Sequence, residues 1–69
     1  MWCPRCDQGN VRPATIIKTG EFVQVCEECD ALWRSDVDVA PSGFTDFKTY
    51  VAPLGLMGLW SELEMLSEP

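Results

Sequence analysis

Residues 14–25 read ATIIKTGEFVQV, two short runs of β-branched and apolar residues (14–18 and 21–25) separated by Thr19 and Gly20. Such runs favour strands, and Gly20 supplies the positive φ that a tight loop requires, so the stretch predicts a β-hairpin. After Cys29 the segment ALWRS predicts a third short strand, with Leu32 and Trp33 as its bulky members. The following SDVDVAPSG breaks the pattern with acids, Pro41 and Gly43 and predicts a loop over residues 36–43.

Beyond residue 43 the hydrophobic period becomes helical. Phe44, Phe47, Tyr50 and Val51 fall on one helical face, with Thr45 as N-cap, Asp46 near the positive helix end and Pro53 as the stop. Leu56, Leu59, Leu63 and Leu66 recur at spacings of three, four and three, with Glu62, Glu64 and Glu68 elsewhere on the wheel. This predicts a second amphipathic helix over about residues 58–67, and the S-x-x-E pair Ser61 and Glu64 would start it slightly later. The leucine stripe and the aromatic face are expected to form a lid on one side of the sheet. Trp33 is expected in the small core, whereas Trp60 lies off the stripe and is the exposed aromatic of choice for a partner contact.

Length changes how this pattern is read. At 69 residues the chain makes one domain, divided into residues 1–35, an acidic loop 36–43 and a helical segment 44–69. A core of that size alone rarely supplies more than about 3 to 5 kcal/mol, so a staple is required. The 46% hydrophobic content excludes a disordered chain. The N-terminus has no basic or apolar leader pattern, and VAPLGLMGLW is too short and glycine-broken to span a bilayer. A cytoplasmic protein with no membrane contact is therefore expected.

The staple is visible as C-x2-C-x19-C-x2-C, formed by Cys3, Cys6, Cys26 and Cys29. Two residues between cysteines let both sulfurs face one point from a single turn, and Pro4 fixes one backbone angle of the first turn. The hairpin then folds the second pair onto the first. A reducing compartment keeps thiols free, which favours a metal over disulfides. Four thiolates around one ion make a saturated, structural site, for which zinc is the expected ion and mononuclear iron the alternative. A redox-active C-x-x-C would need a helix start within a βαβ pattern, and none is visible.

Charge sets the class of partner. Eleven acids against five cations give −6, and four thiolates with one divalent ion take the formal count to about −8. Residues 1–20 carry Arg5, Arg12 and Lys18 against Asp7, whereas the remainder carries ten acids against Arg34 and Lys48. Such a field repels phosphate backbones, so direct nucleic-acid binding is disfavoured and a basic protein partner is favoured. Glu27, Glu28, Asp30, Asp36, Asp38 and Asp46, with Trp60, are the expected contact residues. The chain has no histidine, no nucleophile paired with a base and no phosphate-binding glycine loop, so no enzyme is expected.

The sequence CPRC, a hairpin, CEEC and a closing strand bearing Trp33 resemble the zinc-ribbon or rubredoxin-like class over residues 1–35. The resemblance implies a small metal-stapled α+β fold: a three-stranded antiparallel sheet with two knuckles, followed by one or two short helices. In many ribbons a glycine follows the second cysteine of each knuckle. Asp7 and Asp30 stand there instead, leaving an altered knuckle or a compensating Gly9 as the alternatives. The stretch FTDFKTYVAPLGLMGLWSELE is similar to small cysteine-rich immunity proteins of contact-dependent growth-inhibition systems. That resemblance implies an acidic inhibitor of a basic toxin, such as a nuclease. The alternative is a ribbon adaptor of transcription, translation or RNA processing, in which Arg5, Arg12 and Arg34 meet nucleic acid.

Overall fold

The computed structural model describes residues 1–66. Its centre is the expected hairpin, β1 (Val11–Ile16) against β2 (Glu21–Cys26), with β3 (Ala31–Arg34) antiparallel on the other side of β2. The register places Val11 opposite Cys26 and Ile16 opposite Glu21, so the turn lies at one end of the hairpin and Cys26 at the other. At the turn, the Gly20 N–H donates to the Ile16 carbonyl (2.7 Å) and Gly20 adopts φ +74°.

The sheet has five strands, not three. Residues Thr45–Asp46 form β4 on the outside of β3, and Leu63–Met65 form β5 on the outside of β1, giving the order β4-β3-β2-β1-β5 with every neighbouring pair antiparallel. The leucine stripe is therefore not a helix among the described residues. Trp60–Glu62 make one 3-10 turn that leads into β5; Ser67 and Glu68 lie outside the described residues. Gly55 and Gly58, both with positive φ, interrupt the segment before it, and a helix of about ten residues has little stability of its own to compete with a free sheet edge. Gly58 is also buried, and a Cβ there would run into Lys48.

The first helix, α1, is shorter than its pattern, spanning Phe47–Val51 before the Ala52–Leu54 3-10 turn. Its N-cap is Asp46 rather than Thr45: the carboxylate accepts from the Thr49 N–H at 3.2 Å. Its start moves to residue 47 because Thr45 and Asp46 are drawn into pairing with Leu32 and Ala31.

The sheet carries a separate core on each face. On one, Phe47 and Val51 of α1 pack over Ala14, Ile16, Val23, Val25, Leu32 and Leu63. On the other, Cys3, Val11, Cys26, Ala31 and Trp33 are buried, with Val37, Val39 and Phe44 laid over them. The acidic loop thus covers Trp33, and the Ala40 and Ser42 carbonyls accept the buried indole N–H at 3.1 and 3.3 Å. Phe44 joins this second core, tilted against Trp33 at 5.9 Å, instead of sharing a face with Phe47.

Candidate metal centre

Cys3 and Cys6 lie in the turn preceding β1, Cys26 ends β2, and Cys29 lies in the turn before β3. The first turn is closed by the Asp7 N–H donating to the Cys3 carbonyl (3.1 Å) and the Cys3 N–H donating to the Gly9 carbonyl (2.8 Å). The second is tied to it by the Glu27 N–H to the Asn10 carbonyl (3.1 Å) and by Arg5 Nη1 to the Cys29 carbonyl (3.0 Å). The Glu28 N–H points at the Cys26 sulfur at 3.4 Å, a donor that favours the thiolate form.

Asp7 and Asp30 adopt φ +56° and +60°, so aspartate occupies the left-handed position after each cysteine pair. Aspartate and asparagine tolerate this region better than other side chains do. Gly9 has a different role. A Cβ there would lie 2.6 Å from Glu28 Cγ and 3.3 Å from Cys26 Sγ, so the absence of a side chain lets the two knuckles approach each other.

All four cysteines are free thiols, and their sulfurs lie within 4.8 Å of one another. Cys3 and Cys29 are 3.8 Å apart, and Cys6 and Cys26 are 3.7 Å apart. Sulfurs about 2.3 Å from a tetrahedral centre stand about 3.8 Å from each other, so the spacing and the donor chemistry both fit one metal ion. Cys3 and Cys26 are buried, Cys6 and Cys29 half-buried.

Burial raises the Cys3 thiol, but backbone N–H groups of Cys6 and Arg5 and the neighbouring sulfurs more than offset it and hold it at about 7. Burial pushes Cys26 up to about 12 against the N–H groups of Cys29 and Glu28, with the Cys29 and Cys3 sulfurs adding to the rise. The cluster therefore loses its protons in steps that belong to the set, each later one opposed by charge already formed. A cation among the sulfurs removes that opposition, which couples metal affinity to pH.

The expected contact acids fall on different elements. Glu27, Glu28 and Asp30 follow Cys26, and Asp46 joins them because it pairs with Ala31. Asp36 lies beyond the far end of β3, 3.5 Å from Arg34, and Asp38 is exposed in the loop. Several have local duties: Glu27 pairs with Arg12 at 3.2 Å, Asp46 caps α1, and the Asp30 carbonyl accepts from the Phe47 N–H at 2.8 Å. Trp60 is 38% exposed and rests one side on Phe47, with ring centroids 5.6 Å apart.

Two features were not readable beforehand. Trp60 and Glu27 share an open recess with Arg12 and Met65, a grouping created by the β1–β5 pairing. Glu62, expected on a helix surface, instead accepts from the N–H groups of Met57 (3.1 Å), Gly58 (2.9 Å) and Leu59 (2.8 Å), which lowers its pKa. Comparison of the chain with protein-family models, with curated proteins and with solved structures returned no match.

Proposed function

We propose that the chain is a non-catalytic binding module whose four cysteines hold a structural zinc ion and whose acidic surface binds and neutralises a basic protein. The immunity proteins that inhibit toxin nucleases are its functional counterpart. A reducing cytoplasm suits this reading, since it keeps the thiols available; among the described residues no helix is long and apolar enough to cross a membrane.

The supporting observation is how the cations are used. Arg12 and Arg34 pair with Glu27 and Asp36, Lys18 donates to the Leu54 carbonyl, and Arg5 donates to the Cys29 carbonyl with its guanidinium 4.6 Å from the Phe44 ring centre. Four of the five cations are thus engaged within the chain, and no charged side chain is buried among the described residues, so the net charge of −6 lies on the surface, where it steers a cationic partner. The same contacts count against a nucleic-acid adaptor, because Arg5, Arg12 and Arg34 are the cations that role would use.

The test is a low-salt pull-down from the native host with the metal-loaded protein. One basic polypeptide bound stoichiometrically supports the inhibitor, whereas ribosomal or polymerase components accompanied by RNA would replace it with the adaptor. Replacing Glu27, Glu28 and Asp38 by lysine should slow association with the captured partner while leaving the fold intact. Metal identity is read separately: a ferric tetrathiolate absorbs visible light and zinc does not, so a coloured protein would move the assignment to iron.

A further inference from the structure

The outer edge of β5 is unpaired among the described residues. The Ile17 N–H donates to the Glu62 carbonyl (3.1 Å) and the Leu66 N–H to the Pro13 carbonyl (3.0 Å). Thr15 and Glu64 lie midway between these pairs and so form a hydrogen-bonded pair as well. Leu63 and Met65 then turn their backbone groups away from β1. The Leu63 N–H is taken by the Trp60 carbonyl, but among the described residues no strand pairs with the Met65 side of the sheet. An edge of this kind is a template for strand addition.

A recess of about 290 Å³ adjoins the edge, lined by Trp60, Met65, Arg12 and Glu27. Met65 lies opposite Ala14, two residues from Arg12, so the recess opens on the face to which Met65 projects. A residue added opposite Met65 projects to that same face and packs beside the Met65 side chain, at the margin of the recess. The residue added opposite Glu64 projects to the other face, beside an exposed carboxylate.

From this geometry, and resting on the proposed basic partner, we infer that the β5 edge docks an extended segment of that partner whose residues alternate between cationic and apolar. Its cation pairs with Glu64 across the strands, and its next apolar side chain packs against Met65. Charge decides between this occupant and a second copy. Adding another β5 antiparallel with Leu63 opposite Met65 sets Glu64 against Glu64, in two molecules that are each strongly net negative.

The test titrates the 15N-labelled, metal-loaded protein at low salt with a synthetic peptide of alternating arginine and valine, alongside a glutamate–valine control. The expected result is shifts of the 63–66 amides and the Trp60 indole N–H with the arginine peptide alone. Glu64→Lys should weaken binding about tenfold. Met65→Pro, which removes an outward N–H at a position where an edge tolerates proline, should abolish it. Shifts confined to residues 27–38 would overturn the edge assignment while leaving the acidic-inhibitor reading in place. No shifts anywhere would overturn both. The same amides moving with protein concentration alone, with doubled mass in sedimentation, would assign the edge to a second copy and overturn the inference.

Discussion

Asp30 shows how one residue meets a backbone demand with a side chain that merely tolerates it. At φ +60° and half-buried, it joins the second knuckle to β3 and presents its carbonyl to the start of α1. If conformation rather than charge is its main role, Asp30→Ala should destabilise the metal-loaded protein by about 1 kcal/mol, with Asp30→Asn and Asp30→Gly near neutral. Urea melts of the three variants check this, since all remove the same charge and equal losses would point to the carboxylate instead. Tyr50 gives a second expectation. Its hydroxyl donates to Glu21 at 2.6 Å, and that bond, with burial and the Glu21 charge, raises its pKa. A raised folded pKa means its stabilisation is complete below the unfolded value of about 10 and is lost as pH rises through the folded one. Tyr50→Phe should remove this loss of stability above about pH 10, measured against wild type.

At the scale of elements, the hairpin, the third strand and the cysteine turns were legible because their signals are local: β-branched runs, Gly20 and paired cysteines. The strand β5 was not, because the spacing of Leu56, Leu59, Leu63 and Leu66 fits a helix, and what makes it a strand is the open side of β1, which no local pattern records. The outcome distributes the leucines differently from a helical stripe: Leu63 is 6% exposed and Leu59 is 50% exposed. Leu63→Ala should therefore cost about 2 to 4 kcal/mol in thermal or urea unfolding, and Leu59→Ala should be nearly neutral. Similar losses at both positions would restore the helix. The loop before β5 depends on the Glu62 carboxylate, whose lowered pKa makes it a stabiliser above the ordinary glutamate range. That contribution is lost as pH falls through the lower folded value. Amide exchange at residues 57–59, corrected for its intrinsic pH dependence, should rise below about pH 4 in wild type. In Glu62→Ala it should be raised at every pH.

For the whole molecule, the cysteine cluster was legible down to its four members, while the layout of the acids was not, since their neighbours are fixed by β4 and by the loop over Trp33. If the cluster holds the proposed zinc ion, its energetic weight follows from size. Binding at structural zinc sites is worth on the order of 10 kcal/mol, more than the core of so small a domain supplies. Chelation, or Cys26→Ser, should therefore abolish the cooperative melting transition and the near-ultraviolet signal of Trp33. An unchanged melt after complete metal loss would make the cysteines dispensable. The strand order also dictates a sequence of events in time. Contacts between β1 and β2 are local and form early, whereas β5 must return from far along the chain to reach β1, and long loops close late. Until it does, β1 is itself the sheet's exposed margin and is open to pairing with another chain. Arrival of β5 ends that vulnerable interval, so variants that delay it should show their defect first as aggregation during refolding.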